Sequence, residues 1–256
     1  MGDDPSTRRE EIATLRLGLD LGAGLIDTAE MYGDGRAEDL VGEAIKGRRD
    51  GTFLVSKVLP QNASRQGAIA ACHGSLRRLK TDRIDLYLLH WRGSMPLAET
   101  VAAFVELQQA GKIRAFGVSN LDLAEMQVLW SAPGGSGVAT NQLLYNISRR
   151  NIEWDLLPWL RERQIPVMAY SPLEQARLLS NRKFCDLVKS WGMTAAQAAL
   201  AWLLEKENII VIPKTRRYER LKENLGALDQ NLTPPQLAKL DELFPRPKDS
   251  APLEML

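Results

Sequence analysis

The segment IDLYLLHW, residues 84–91, indicates the fold of this 256-residue chain more directly than any other stretch. From Ile84 to Leu89 it is apolar apart from Asp85, and the polar residue His90 follows directly. A nearly continuous apolar run of this length is typical of a strand covered on both faces, as in a parallel sheet. The segment therefore predicts a buried parallel strand that ends at a polar side chain.

Six other apolar runs of strand length each end in a polar residue in the same way. Successive ends are on average about 31 residues apart, which is the length of one strand with its crossover helix. This repeat predicts a parallel sheet with a helix after each strand. The residues that end the seven predicted strands are Asp27, Lys57, His90, Asn120, Gln142, Ser171 and Lys214.

The stretches between the predicted strands have the features of helices. Residues 6–21 carry apolar side chains at helical spacing, ahead of the first predicted strand. Thr194 with Gln197 and Thr233 with Gln236 match the Thr-x-x-Gln capping box, which marks the start of a helix. We therefore expect one helix before the first strand and two well-defined helix starts late in the chain.

The repeat is compatible with two arrangements of parallel strands. In a closed barrel the carboxyl ends of the strands form one rim, where active sites of this architecture lie. An open doubly wound sheet also gathers strand ends, but a Gly-rich phosphate turn is then expected after the first strand. The segment GDGRAE from Gly33 lacks the third glycine of that turn, so the open sheet is only weakly supported.

We expect one domain over residues 1–256, with an irregular, proline-containing tail over residues 245–256.

Charge and composition limit the possible partners. The chain has 33 basic and 32 acidic residues, so nothing favours a nucleic-acid or anionic-membrane partner. Its apolar stretches are shorter than the roughly 20 residues of a membrane helix, and the polar N-terminus does not resemble a signal peptide. Cys72 and Cys185 have no metal-like spacing and are interpreted as reduced, buried thiols. We expect a soluble cytoplasmic protein without a metal site; a monomer is compatible with the sequence, which leaves the oligomeric state open.

Four residues near the first three strand ends form a set suited to proton transfer: Asp27, Tyr32, Lys57 and His90. A phenol alone is a poor acid at neutral pH, but a nearby ammonium stabilises the phenolate and makes the phenol a better proton donor. Lys57 can supply that charge, Asp27 can hold the lysine, and His90 can orient a carbonyl oxygen. Such a set suits the reduction of a carbonyl group by hydride.

Each of these residues alone has a simpler interpretation. Asp27 would be a turn or cap residue, Lys57 a solvated strand end, and Tyr32 a loop aromatic. Their joint occurrence with His90 favours the catalytic interpretation. The other histidine, His73, lies in a helix-like segment and is expected to be exposed to solvent.

Seven motifs in order along the chain carry a family resemblance. They are DTAEMYGDG from Asp27, LVSK ending at Lys57, DLYLLHW from Asp85, GVSN from Gly117, NQLLYN from Asn141, AYSPL from Ala169 and IPKT from Ile212. Over about residues 6–240 the chain resembles the aldo-keto reductase family, in particular its short bacterial members that act on small aldehydes and dicarbonyls. The resemblance implies a (β/α)8 TIM barrel that binds NADPH or NADP+ at its C-terminal rim and reduces a small carbonyl substrate.

The resemblance also implies roles for individual residues. Tyr32 is the implied proton donor, with Lys57 and Asp27 as its tuning pair and His90 as the orienting residue. Trp91 is a candidate substrate contact for a separate reason, because it follows His90 directly. The implied cofactor contacts are Ser119, Asn120 and Gln142 at the carboxamide, Tyr170 stacked on the nicotinamide, Ser171 and Leu173 at the pyrophosphate, Lys214 and Thr215 at the 2′-phosphate, and Arg220, Glu223 and Asn224 around the adenosine. The cationic cluster after the last strand suits a phosphate dianion, so we favour NADPH over NADH.

Ser119 and Asn120 have a second interpretation. Serine and asparagine are good N-cap residues, and a helix is predicted to begin near Asp122. The sequence leaves both interpretations open.

The chain departs from the family at its N-terminus. Family members begin with a short hairpin and a first barrel strand, whereas here MGDDPSTRRE leads directly into the first predicted helix. We therefore predict seven strands, with the first barrel strand and the hairpin missing. The gap would leave an open seam with unpaired backbone groups between the last strand and the strand at Asp27.

Three functions are compatible with these features. The first is an NADPH-dependent reductase of aldehydes and ketones with Tyr32 as the proton donor. The second is an NADPH-binding sensor or partner protein with negligible turnover. The third is an inactive reductase that is truncated at its N-terminus. The complete set of four acid-site residues favours the first.

Overall fold

The computed structural model describes residue 2 and residues 4–256, which form two compact units. The first unit contains the chain up to Thr140 together with Arg216–Tyr218, and the second contains Asn141–Thr215 and Glu219–Leu256. Met1 and Asp3 of the polar N-terminus lie outside the described residues. The single domain over residues 1–256 stays a prediction.

The first unit contains a parallel sheet in which strands pair in sequence order and helices connect them. Its strands are β1 (Leu25–Asp27), β2 (Phe53–Val58), β3 (Ile84–Leu89) and β4 (Ile113–Ser119). Its helices are α1 (Arg8–Asp20), α2 (Arg36–Ala44), α3 (Arg65–Leu79), α4 (Leu97–Gln109) and α5 (Leu123–Ser131). The helix predicted over residues 6–21 is confirmed as α1.

Strand β3 is the most deeply buried strand of this sheet. All six of its residues are buried, as the apolar run IDLYLLHW predicted. The ring of Tyr87 packs edge-on against Phe104 of α4 at 5.6 Å, and Phe104 lies 5.5 Å from Phe116 of β4. Burial of such large side chains stabilises each by about 1.5–3 kcal/mol relative to exposure, so this aromatic group fixes α4 on the sheet.

The single charge inside β3 is paired. The carboxylate of Asp85 lies 2.8 Å from Arg49 Nη2 and 2.9 Å from Arg114 Nη1 of β4. It also accepts a hydrogen bond from the backbone N–H of Leu54 in β2, at 2.9 Å. A buried carboxylate is tolerated only with such partners. Asp85 therefore joins three neighbouring strands near their amino ends.

The second unit also contains a parallel sheet with strands in sequence order. Its strands are β5 (Asn141–Leu144), β6 (Val167–Tyr170) and β7 (Ile209–Val211). The helices of this part of the chain are α6 (Leu156–Glu162), α7 (Arg182–Lys189), α8 (Ala195–Leu204), α9 (Tyr218–Leu225) and α10 (Pro234–Leu243). Residues 245–256 form neither helix nor strand.

The two predicted helix starts are confirmed. Thr194 Oγ1 accepts a hydrogen bond from Gln197 N at the start of α8, and the Gln197 side chain returns a bond to Thr194 N. At the start of α10 the N–H of Thr233 donates to Gln236 Oε1 at 2.8 Å. Each pair satisfies backbone groups that a helix end leaves without intrahelical partners.

Seven strands are present in the described part of the chain, as the sequence predicted. The prediction that the strands are covered on both faces was wrong for β7, however, because Ile210 is 38% exposed and its neighbours are half-buried. Within its own unit β7 pairs with β6 alone, so it is an edge strand. The lack of a second neighbour explains the exposure of an apolar sequence there.

Both cysteines are free thiols. Cys72 is fully buried, and burial raises the pKa of its thiol to about 12, so it is an inert core residue. Cys185 is only half-buried, so the expectation of a buried thiol was wrong for this residue. His73 is exposed on α3, as predicted. No helix in the described residues is long and apolar enough to cross a membrane.

Gly42 permits the close approach of α2 to the end of α3. A Cβ atom at this position would lie 2.7 Å from the carbonyl oxygen of Leu79 and 2.8 Å from that of Arg78. In a helix interior, alanine stabilises the helix by about 1 kcal/mol relative to glycine. Overpacking costs about 1–3 kcal/mol, and the backbone oxygens here cannot rotate aside as a side chain can.

We therefore expect Gly42→Ala to destabilise the protein by roughly 1–3 kcal/mol, with a loss of a few degrees in Tm measured by circular dichroism. Gly51→Ala is the matched control, because a Cβ at Gly51 has no neighbouring atom within 4 Å. We expect the control to change stability by less than about 0.5 kcal/mol. Equal Tm values for the two variants would contradict the close approach.

Candidate active site

A buried ion pair lies at the carboxyl ends of β1 and β2. Lys57 Nζ lies 2.6 Å from Asp27 Oδ2 and donates to the carbonyl oxygen of Thr28 at 2.9 Å. The side chain of Lys57 is fully buried, and that of Asp27 is 13% exposed. Because a buried ammonium is stable only with such partners, the pair fixes the lysine in one position.

Tyr32 lies on the loop that joins β1 to α2. Its N–H donates to the carbonyl oxygen of Ala29 at 3.1 Å, and its own carbonyl accepts from Ala37 N of α2 at 3.2 Å. These bonds at both ends of a tight loop hold the half-buried ring beside the ion pair. Lys57 Nζ lies 5.1 Å from the centre of the Tyr32 ring. The lysine charge is thus within the range of an electrostatic interaction with the phenol.

His90 completes the group of four. It follows β3 directly, and its N–H donates to Val58 O of β2 at 3.0 Å. Its ring packs edge-on against Tyr32, with 5.6 Å between ring centres, and lies 4.8 Å from Trp91. The structure therefore brings together all four residues of the predicted acid site, with Trp91 beside them.

The imidazole of His90 is neutral under physiological conditions. Burial, together with the nearby charge of Lys57, lowers its pKa from 6.5 to about 3. The ring is buried, and its Nδ1 has no hydrogen-bond partner among the described residues. A neutral imidazole can donate one hydrogen bond and accept another.

Ser119 and Asn120 lie at the end of β4, next to His90. Asn120 has a left-handed backbone with φ of 58°, and its Nδ2 donates to His90 O at 3.2 Å and to Ser119 Oγ at 3.0 Å. The alternative that these residues cap α5 is wrong. Asp122 is the N-cap, because its carboxylate accepts from Glu125 N at 2.8 Å.

Two strand ends differ from the prediction. Gln142 is the second residue of β5 and pairs in register with Met168, with its Nε2 4.0 Å from Met168 Sδ. β5 continues beyond Gln142 through the buried residues Leu143 and Leu144. The side-chain amides of Asn141 and Gln142 interrupt the apolar run in the sequence. β7 ends at Val211, three residues before Lys214, because Pro213 has no N–H for the ladder.

Tyr170, Ser171 and Leu173 lie at the end of β6 and are half-buried. Ser171 has a positive φ of 48°, and its carbonyl oxygen accepts a hydrogen bond from Asn146 Nδ2 at 3.0 Å. The chain therefore turns sharply at the residue predicted to contact a pyrophosphate.

The three predicted adenosine residues all lie on α9. Arg220, Glu223 and Asn224 lie on this helix at spacings that place them on one face, with Asn224 buried. Lys214 and Arg220 are exposed, Thr215 is half-buried, and neither cation has a carboxylate within 4.0 Å among the described residues. The two cations are thus available to an anionic ligand.

Sequence reasoning missed the residues that hold the site residues in place. Thr28 supplies a backbone acceptor to Lys57, and Asn146 supplies the bond to Ser171. Glu30 Oε1 accepts from Leu59 N at 2.7 Å and Asn62 Nδ2 at 3.0 Å, which fixes the chain after β2. The available signal was that each lies within a few residues of a strand end, inside the motifs DTAEMYGDG and NQLLYN.

The described residues contain no group of three or more His, Cys, Asp or Glu side chains that could hold a metal ion. Around Lys57 the structure brings together a phenol, a paired ammonium and a neutral imidazole.

Two relatives match the chain along most or all of its length. Methylglyoxal reductase YeaE of Escherichia coli (strain K12) is 51% identical over 261 aligned residues, which cover 100% of this chain and 92% of that protein. Glyoxal reductase of Bacillus subtilis (strain 168) is 31% identical, with 91% of this chain and 83% of that protein covered.

Solved structures agree with these matches. A crystal structure of an aldo/keto reductase from Klebsiella pneumoniae in complex with NADP and acetate has a TM-score of 0.98 at 48% identity, covering 100% of this chain and 92% of that one. The family model described as "Aldo/keto reductase family" matches residues 1–244. The fold is therefore of the (β/α)8 class, with seven strands in the described residues, and the chain belongs to the aldo/keto reductase family.

Proposed function

We propose that this protein reduces the carbonyl group of small dicarbonyl compounds such as methylglyoxal to an alcohol, with NADPH as the hydride donor. As a family member it is an NADP-dependent oxidoreductase that acts on carbonyl groups. The observation that carries the proposal is the contact of Tyr32 with the Lys57 ammonium and the neutral ring of His90. The 51% identity to a methylglyoxal reductase supports the choice of substrate class.

Tyr32 is the proposed proton donor. As a carbonyl carbon accepts hydride, its oxygen gains negative charge and needs a proton. The phenol of Tyr32 gives up that proton, and the ammonium of Lys57, 5.1 Å from the ring centre, stabilises the phenolate. Asp27 keeps the ammonium in place and compensates its burial.

His90 is proposed to orient the substrate. Its imidazole is neutral, so the ring binds a carbonyl oxygen as a hydrogen-bond donor without adding a second positive charge beside Lys57. Trp91 packs against this ring and is the proposed wall of the substrate site. The substrate oxygen would thus meet Tyr32 and His90 together, since their rings are in contact.

The remaining site residues are proposed to bind a dinucleotide cofactor, which supplies the hydride when it is bound. Ser119, Asn120 and Gln142 offer side-chain amide and hydroxyl groups for a carboxamide, and Tyr170 offers a half-buried ring for stacking. Ser171 and Leu173 lie on a sharp turn suited to the pyrophosphate. Asn224, Glu223 and Arg220 share one face of α9 for the adenosine.

The 2′-phosphate is assigned to Lys214, Thr215 and Arg220. The two exposed cations have no acidic partner within 4.0 Å among the described residues, and Thr215 adds a hydroxyl. A phosphate dianion binds such a set through charge-assisted hydrogen bonds, which a 2′-hydroxyl cannot match. This donor set favours NADPH over NADH.

The two alternative functions, a sensor without turnover and an inactive reductase, are not favoured. The four acid-site residues are assembled with the lysine paired and the histidine neutral, as turnover requires. The free thiols support the further proposal that the enzyme works in the reducing cytoplasm.

Tyr32→Phe removes the proton donor and keeps the ring. We expect kcat for methylglyoxal reduction, followed by NADPH absorbance, to fall by about 10²–10⁴-fold. NADPH binding, followed by fluorescence, should be unchanged and serves as the control for folding. A variant that turns over like the parent would exclude Tyr32 as the acid.

His90 should stay neutral well below pH 6.5, since burial and Lys57 lower its pKa to about 3. We expect its ring NMR signal, assigned by its loss in His90→Gln, to remain unshifted from about pH 8 to about pH 5. A titration midpoint inside that range would contradict the assignment.

The same shift has a consequence for stability. Because the folded pKa of His90 lies below the ordinary 6.5, only the unfolded chain binds this proton between about pH 6.5 and pH 3. The contribution of His90 to stability is therefore complete above about pH 6.5 and declines by about 1.4 kcal/mol per pH unit as the pH falls toward the folded pKa.

Lys214→Ala and Arg220→Ala should each raise the Kd for NADPH by about tenfold or more and leave the Kd for NADH nearly unchanged, because only NADPH carries the 2′-phosphate. Lys239→Ala, an exposed lysine of α10, is the control and should change neither Kd. Equal losses for the two cofactors would exclude these cations as the 2′-phosphate contacts.

A further inference from the structure

A buried carboxylate organises the loop that follows β6. Glu174 is 4% exposed, and its side chain accepts hydrogen bonds from Arg149 Nε at 3.0 Å and Nη2 at 2.9 Å. Asn146 Nδ2 and Arg177 Nη2 each donate to it at 2.9 Å. Burial raises the cost of the charge, but the bonds from Arg149 and Asn146 outweigh it and hold the pKa of Glu174 below its usual range.

This carboxylate is linked to the proposed pyrophosphate residue. The Nδ2 of Asn146 that donates to Glu174 also donates to the carbonyl oxygen of Ser171, at 3.0 Å. Asn146 therefore bridges Ser171 and Glu174 within the segment 171–176, which we name the cofactor loop. Arg149 also donates to Glu174, so it helps to fix the position of the carboxylate that Asn146 binds.

The cofactor loop needs such support. Four of its residues other than glycine have positive φ: Ser171 (48°), Glu174 (50°), Gln175 (51°) and Ala176 (70°). Each such residue costs on the order of 1–2 kcal/mol relative to a right-handed conformation. The loop keeps this shape only because surrounding contacts enforce it.

The same arginine also binds the C-terminal tail. Arg149 Nη1 lies 2.6 Å from Glu254 Oε1, so one guanidinium bridges the tail and the carboxylate that organises the cofactor loop. Both side chains of this pair are 34% exposed. The tail has no helix or strand of its own after residue 244, so this ion pair is a fixed point in an irregular segment.

We propose that Arg149 is a positioning residue for the cofactor loop and that Glu254 is a latch, whose docking strengthens NADPH binding and slows release of NADP+. This inference rests on the proposed function, because it takes Ser171 as a pyrophosphate contact. With Glu254 docked, the guanidinium of Arg149 is bound by two carboxylates, and it presents its Nε and Nη2 groups to Glu174 in one orientation. With the tail released, Arg149 regains rotamer freedom, and the loop loses part of its support.

The strength of the latch suits this role. A half-exposed ion pair between flexible side chains is worth little by itself, so it opens without unfolding the protein. Cofactor or product release limits turnover in many enzymes, and a contact that opens readily can set that rate. The expected effect is accordingly a few-fold change in binding and release.

The test compares two carboxylates that bind neighbouring arginines. Asp241 Oδ1 lies 2.6 Å from Arg150 Nη1, and its side chain is 38% exposed, so it matches Glu254 in distance and exposure. Both hold the C-terminal part of the chain, but Arg150 makes no contact with Glu174 among the described residues. Asp241→Asn therefore controls for a merely looser C-terminus.

We expect Glu254→Gln to raise the Kd for NADPH by about three- to fivefold and to speed NADP+ dissociation similarly, both measured by fluorescence in the absence of substrate. Asp241→Asn should leave both values within about a factor of 1.5 of the parent. Equal effects of the two variants would overturn the proposal.

A second comparison, made in the Arg149→Lys variant, keeps the test independent of folding defects. Arg149→Lys retains a cation for the buried Glu174 but cannot bridge two carboxylates as a guanidinium does. In this background Glu254→Gln should have no further effect on NADPH affinity, whereas full additivity would show that the tail acts by another route and overturn the proposal.

The outcome for the unmodified protein separates the two levels of inference. If it fails to bind NADPH, the proposed function fails, and the latch fails with it. If it binds NADPH and Glu254→Gln has no effect on affinity or release, only the latch is overturned.

Discussion

The active site depends on the burial of one ammonium group. Lys57 has no exposed surface, and a charge in that position is tolerated only because Asp27 and the carbonyl of Thr28 are held against it. The requirement fixes the end of β1 relative to the end of β2, and with it the start of the loop that carries Tyr32. The same charge, together with burial, keeps His90 neutral. A single electrostatic constraint thus places Tyr32, the proposed proton donor, and sets the protonation state of His90, the proposed orienting residue.

Buried carboxylates have the corresponding role elsewhere in the chain. Asp85 joins β2, β3 and β4 through two arginines and one backbone N–H. It lies near the amino ends of these strands, where such an ion pair stabilises the sheet. Glu174 has equally complete partners but lies beside the proposed cofactor residues, and it supports a loop whose backbone is strained. In each case the cost of burying a charge is offset only by one specific arrangement of neighbours, so the carboxylate enforces that arrangement.

Much of the fold was predictable because apolar runs and capping residues are local signals. The run at residues 84–89 indicated β3 correctly, and Thr194 and Thr233 marked two helix starts. Prediction was wrong where burial or pairing depended on distant neighbours. Gln142 was taken as a strand end, although β5 continues through buried leucines beyond it, and β7 is half-exposed despite an apolar sequence because it is an edge strand in its unit. Asp122, and not Ser119 or Asn120, caps α5, which depends on backbone geometry that residue type alone does not define.

The sequence by itself determined the class of chemistry. A tyrosine, a lysine, an aspartate and a histidine after successive strand ends predicted a carbonyl-reducing acid site, and cations after the last strand predicted a phosphate contact. Only the tertiary structure decided the state of those groups: that the lysine is paired at 2.6 Å, that the histidine is neutral, and that one arginine links the tail to the cofactor loop. The physical reason is that residue types and their spacing are local properties of the chain. Charge states depend on burial and on partners that lie far away in sequence, as Glu254 does from Arg149.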